Sequence, residues 1–257
     1  MNAIDIFRLF APSVANLIFE RDSVRVSSGS GFIVSNKLVT ADHVMIRAHD
    51  VSLRVVFEKA VAPQESEWRY DASAMPCCAQ SRQRYHDFTA LAVPEDFALP
   101  QGFEWADGFP EPGEAVCTLG YPFDHPNLTV HQGHISSVFQ SGVATMLKLD
   151  MSINASNSGG PLVRLADGKV LGVITRKTTE LTKAFDELQK AMDENIQMLS
   201  GPQSGTITHN GINPLQLTLA IQNQMRHVAT EIKRSANVGI GYAVWNRPLR
   251  DEACFNT

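Results

Sequence analysis

Three features of this sequence predict a mainly β fold. Short apolar runs recur along it, at residues 14–19, 31–34, 37–40, 51–57, 88–93 and 238–244, several of them bounded by turn residues. The segment Val163-Arg-Leu-Ala-Asp-Gly-Lys-Val-Leu-Gly-Val-Ile-Thr175 joins two such runs at Asp167-Gly168, the strongest short hairpin signal a sequence offers. Sustained helical periodicity is confined to residues 179–236, which read as two helices between strands.

Composition narrows the class. With 257 residues, 44% hydrophobic and 19% charged, the chain can bury a sizeable core as one large domain or two small ones. A net charge of -5, a pI near 5.9 and no Lys/Arg run with interleaved aromatics argue against a nucleic-acid partner. Asp5, Arg8 and Glu20 interrupt the apolar N-terminal stretch, and no window approaches the roughly 18 apolar residues of a membrane span. The expectation is a soluble, unexported, cytoplasmic protein. Cys77, Cys78, Cys117 and Cys254 match neither a zinc pattern nor a disulfide framework, and reduced thiols are expected. The sequons at Asn127 and Asn154 carry little weight in such a chain.

Taken in order, the chain opens with a short helix and a strand over residues 14–19. Two strands, 31–34 and 37–40, flank a turn at Ser35-Asn36, and His43 follows where the second ends. A histidine there is either a structural or surface residue, or one placed to receive a proton near neutral pH. Strands over 51–57 and 88–93 enclose a polar stretch, 66–84, that reads as irregular. Asp87, just before the second of them, is either a turn residue or a carboxylate able to orient His43; His86 reads as a surface neighbour.

Asn154-Ala-Ser-Asn-Ser-Gly-Gly-Pro-Leu162 would be a turn in isolation. It leads, however, directly into the Asp167-Gly168 hairpin, and two glycines let the backbone fold around Ser158 so that neighbouring N–H groups converge. An acyl-transfer nucleophile needs that arrangement, together with a base, normally histidine, and a carboxylate to orient it.

Within residues 179–236, Leu181, Phe185, Leu188, Met192, Ile196 and Leu199 form one apolar stripe. Asn213-Pro214 starts a second helix bearing Leu217, Ile221, Met225, Val228 and Ile232, with residues 201–211 as the link. Either both stripes pack on each other and on the β body, or the hairpin offers one stripe to a partner.

Gly29-Ser-Gly-Phe-Ile-Val34, Leu38-Val-Thr-Ala-Asp-His-Val44, Asp87-Phe-Thr-Ala-Leu91 and Ser156-Asn-Ser-Gly-Gly-Pro-Leu162 together resemble the trypsin-like serine peptidases of the chymotrypsin clan, most closely their HtrA/Deg-type bacterial branch. Pro112-Gly-Glu-Ala-Val-Cys-Thr-Leu-Gly-Tyr-Pro122, Val130-His-Gln-Gly-His-Ile-Ser136 and Val238-Gly-Ile-Gly-Tyr-Ala-Val244 are similar to that branch too, so the resemblance spans residues 12–178 and 237–247. It implies two six-stranded antiparallel β-barrels: residues 1–100, with the short helix, form the first, and 101–178 with 237–257 form the second. A helical hairpin, 179–236, is inserted, and the site lies between the barrels. With the short stretch that follows Val244, the PDZ domain that many relatives carry is not expected in this sequence.

The resemblance further implies His43 as general base, Asp87 as its orienting carboxylate and Ser158 as nucleophile, with the backbone N–H groups of Ser156 and Ser158 as oxyanion hole and no metal or cofactor. Ser152, Thr175, Arg176, Lys177 and Ile240 would line the substrate pocket. No acidic residue stands at its floor, so small or aliphatic side chains are expected rather than Arg or Lys; Lys177, if it points inward, would favour an acidic one. The implied function is an intracellular serine endopeptidase acting on proteins or peptides; the alternative is a peptidase-fold binding or adaptor subunit with little or no turnover.

Three departures from the branch matter. Ala155-Ser156 stands where Pro-Gly is usual, and a left-handed serine costs on the order of 1 kcal/mol more than glycine. Asp42 replaces the usual alanine before His43 and is a competing carboxylate. The insertion replaces the loop joining two walls of the pocket, so it is expected to keep the enzyme latent until a partner engages it.

Overall fold

The computed structural model describes residues 1–57, 67–71, 74–175, 180–200, 213–235 and 239–255. Helix α1 (Ala3–Phe10) starts at a capping box in which Asn2 and Asp5 satisfy each other's backbone N–H groups. Seven strands follow: β1 (Val14–Arg21), β2 (Val24–Val34), β3 (Lys37–Thr40), β4 (Ser52–Phe57), β5 (Glu67–Asp71), β6 (Cys77–Ser81) and β7 (Phe88–Ala92). They form one antiparallel, curled sheet in the order β5-β4-β1-β2-β3-β7-β6. Ser35 and Asn36 turn the β2–β3 hairpin with φ of 47° and 56°, the paired left-handed conformation whose twist suits a two-residue loop.

The second half closes on itself. Strands β8 (Ala115–Gly120), β9 (Thr129–Ser141), β10 (Ala144–Leu149), β11 (Pro161–Arg164), β12 (Val170–Thr175) and β13 (Gly241–Trp245) form a barrel in the order β10-β13-β12-β11-β8-β9. Its interior is filled by Val116, Ile135, Leu147, Leu149, Leu162, Leu171 and Ile174. A larger apolar cluster runs from Phe19, Phe32 and Leu38 of the first sheet to Leu119, Tyr121, Val163 and Val173 of the barrel, so one core spans both halves. Fully burying such a side chain contributes about 1.5–3 kcal/mol relative to leaving it exposed. The expected mainly β, chymotrypsin-like double-barrel architecture is present. In the first half it is built from seven strands, and among the described residues β5 and β6, the ends of the sheet, do not pair with each other.

The stretch expected to be irregular, 66–84, holds β5 and β6. Both are edge strands with little to hide: only Trp68 of the first and Ala79 of the second are buried, so neither shows a readable apolar alternation. The strand end expected at Arg176 and Lys177 and the link 201–211 lie outside the described residues.

The insertion forms its own compact unit of two packed helices, α2 (Glu180–Leu199) and α3 (Pro214–Ser235). Gln189 donates to Thr230 Oγ1 (2.8 Å), Arg226 pairs with Asp193 (3.0 Å), and Met192 and Ala229 are buried. The α3 stripe Leu217, Ile221, Met225 and Val228 is not the packed face: each is 45–54% exposed. None of the described helices is long and apolar enough to cross a membrane.

Candidate active site

Sheet pairing places a histidine beside a carboxylate. Thr40, the last residue of β3, lies opposite Thr89 of β7, so residues just after β3 and just before β7 emerge at the same edge. A 3₁₀ turn at Asp42–Val44 presents His43 there, and a turn bonded to Arg82 O presents Asp87, which has φ +47°. His43 Nδ1 lies 2.7 Å from Asp87 Oδ2, and the His43 backbone N–H donates to Asp87 Oδ1 (2.9 Å). The Thr175 hydroxyl also donates to Asp87 Oδ2. Burial pushes the Asp87 carboxyl pKa up, but the His43 ring, the Thr175 hydroxyl and the His43 N–H outweigh it and hold it below the usual value. Asp87 is therefore ionised at neutral pH. An ionised carboxylate on Nδ1 fixes the tautomer that keeps its proton there, leaving Nε2 as acceptor.

Asp42 does not compete for this histidine. Its Oδ1 accepts from Arg47 (2.8 Å), Gln80 (2.9 Å) and Thr89 (3.1 Å), a network that ties the 3₁₀ turn to β6 and β7.

Ser158 comes from the other half and is held against β2. The Ser30 N–H donates to Ser158 O (2.9 Å), Gly159 N–H to Ile174 O (2.8 Å), and Ile174 N–H to Gly160 O (2.8 Å). Gly159 has φ +87°, and a side chain there would overlap Thr40 Oγ1 and Ser30 O, so only glycine fits. Asp87 and Gly159, the residue after Ser158, are thus fixed to consecutive residues of β12, Thr175 and Ile174. The structure shows no hydrogen bond between His43 and Ser158; such catalytic contacts are often long before substrate binds. Ser156, expected to resist a left-handed backbone, adopts φ +70°.

Of the residues expected to line a pocket, Ser152 Oγ accepts from Gly239 N–H (3.0 Å), which brings the segment before Ser158 to the chain entering β13. Ile240 is exposed beside it. Thr175 is buried with its hydroxyl on Asp87, a positioning contact absent from the sequence-based expectation. Arg176 and Lys177 lie outside the described residues. Sequence reasoning also missed Ser28 and Ser30, which contact Ser156; nothing in a run of serines on one strand distinguishes the two that reach another barrel.

Residues 29–173 match the family described as trypsin-like peptidase domain, a span that holds His43, Asp87 and Ser158. The chain belongs to the trypsin-like peptidase family. This trypsin-like peptidase is 31% identical over 191 residues to serine protease HTRA1B of Danio rerio, a match covering 68% of the chain and 37% of that protein. It is 30% identical over 236 residues to serine protease HTRA4 of Mus musculus, covering 84% of the chain and 46% of that protein. The chain thus spans less than half the length of these two relatives, and both are vertebrate proteins, so the likeness reaches beyond the bacterial branch. Among solved structures, the trypsin-like peptidase resembles the HtrA-type protease AlgW with tripeptide (TM-score 0.54, 24% identity, 68% of this chain and 54% of that one). Deg5 is comparable, at TM-score 0.54 and 19% identity over 68% of this chain and 84% of that one. At these identities the two structures support the fold.

Proposed function

We propose that the chain is a serine endopeptidase that cleaves proteins through an acyl-enzyme intermediate. Ser158 Oγ attacks the scissile carbonyl while His43 Nε2 takes its proton, and the resulting oxyanion is held by the Ser156 and Ser158 N–H groups. His43 then gives the proton to the leaving amine, and water repeats the sequence to release the acyl group. The observation that carries this reading is the grip of ionised Asp87 on both the ring and the backbone N–H of His43, since it fixes the imidazole as an acceptor. The chemistry assigned to these residues requires no metal or cofactor. An intracellular location is in keeping with four free thiols, two of them exposed.

The hydrogen bond from Gly239 N–H to Ser152 brings two of the expected pocket segments together, and neither Ser152 nor Ile240 is acidic, which is in keeping with cleavage after small or aliphatic residues. The exposed stripe of α3 supports a protein partner at the insertion, in line with an enzyme that rests partly latent. Cleavage of a denatured proteome tests both, with wild type, Ser158→Ala and a variant whose residues 179–236 are replaced by a short Gly/Ser loop. We expect cuts after small or aliphatic residues that vanish in Ser158→Ala, and altered turnover in the loop variant. A dominant Arg or Lys signal would overturn the pocket; unchanged turnover without the insertion would leave it structural; no Ser158-dependent cutting in any variant would favour the adaptor.

A further inference from the structure

Ser156 occupies a backbone conformation that disfavours serine, and hydrogen bonds from Phe123, Ser30 and Ser28 are among the contacts that meet there. The Phe123 N–H donates to Ala155 O (2.9 Å), fixing the peptide before Ser156; because that peptide is trans, the Ser156 N–H points away from Phe123. The Ser30 hydroxyl donates to Ser156 O (2.7 Å) and itself accepts from Tyr121 N–H (3.0 Å), fixing the peptide after it. The Ser28 hydroxyl donates to Ser156 Oγ (2.9 Å). Ser28 and Ser30 stand two apart on β2, hence on one face of the strand, and both reach across to the loop that carries Ser158.

The first two contacts grip backbone and would serve any residue at position 156. The third requires a side chain on both partners. We propose that Ser28 is a positioning residue for the oxyanion loop, its hydroxyl holding Ser156 at positive φ in place of the conformational freedom glycine would bring. The proposal rests on the reading of Ser158 as nucleophile and of the Ser156 N–H as an oxyanion donor. It makes β2 the element that sets how much of the enzyme carries a competent loop. The oxyanion donor acts in the transition state, so substrate binds both loop states alike; losing the clamp lowers the competent fraction and with it kcat, while KM changes little.

A double-mutant cycle gives a readout that a general structural role would not move. Ser28→Ala should lower peptide kcat about fivefold, the share of one ordinary hydrogen bond, at nearly constant KM. In the Ser156→Gly background the same change should alter kcat less than about twofold, because there is no hydroxyl left to hold. No loss in the wild-type background, or equal losses in both, would overturn the proposal and leave Ser28 as support for the sheet. A crystal structure of Ser28→Ala supplies a test independent of turnover. The expected result is that the 155–156 peptide turns and Ser156 leaves positive φ; retention of φ near +70° would overturn the clamp. If wild type neither turns over nor labels at Ser158 while the loop turns as expected, the peptidase reading fails and the clamp stands.

Discussion

His43→Ala and Ser158→Ala are each expected to lower kcat by about 10⁶, and Asp87→Asn by about 10⁴, in proteins that remain folded. The first two remove the base or the nucleophile outright. The third leaves the shape but replaces a pure acceptor with a group that can donate to Nδ1, so the proton moves to Nε2 and the ring can no longer accept from Ser158. Asp42→Asn is the control. Its carboxylate serves Arg47, Gln80 and Thr89, so turnover should stay within about tenfold of wild type, with some loss of stability. Steady-state kinetics on one peptide decide the matter, and an Asp42 variant more damaged than the Asp87 variant would exchange the two roles. Stability gives an independent check. The Asp87 carboxyl pKa is lowered on folding, so its contribution is complete above its unfolded value, near about pH 4, and is lost as pH falls through the folded value. The difference in urea midpoint between wild type and Asp87→Asn should therefore shrink on acidification.

Gly159→Ala is expected to remove at least about 10² of kcat/KM and to lower the unfolding temperature by several degrees. The added methyl would overlap Thr40 Oγ1 and the Ser30 carbonyl, and φ +87° disfavours any side chain. The loop cannot back away without breaking the Gly159–Ile174 and Ser30–Ser158 backbone hydrogen bonds, which place Ser158. Gly113→Ala separates strain from crowding. Gly113 has φ +94° with open space around it, so its substitution should cost only about 1 kcal/mol of stability and leave turnover intact. If both variants behave alike, packing at Gly159 is not what positions Ser158.

Local patterns were the legible part of this chain. Ser35-Asn36 and Asp167-Gly168 mark turns by residue type alone; β3 matches the apolar run 37–40, whereas β2 begins at Val24, seven residues before the run 31–34 that announced it, because its first half is polar and shows no apolar run. Edge strands β5 and β6 were hidden because a strand with one buried residue has no alternation to read. The three motifs around His43, Asp87 and Ser158 were visible as separate pieces, each defined by its neighbours in sequence. What joins them was not visible, since Thr175 to Asp87 spans 88 residues and Ser28 to Ser156 spans 128. Asp42 shows the same limit from the other side. Adjacency to His43 in sequence suggested competition, whereas the 3₁₀ turn directs its carboxylate to β6 and β7. The α3 stripe had the period of a packed face and is nonetheless exposed, because periodicity reports amphipathicity and not what covers it.

Activation of Ser158 as a nucleophile, as proposed, can be measured with a fluorophosphonate probe without knowledge of the substrate. Wild type is expected to be labelled covalently, at Ser158 by peptide mass spectrometry, with labelling absent in Ser158→Ala and strongly slowed in His43→Ala and Asp87→Asn. Labelling that persists in Ser158→Ala, or a wild type that stays unlabelled with the insertion present or replaced, would contradict that activation.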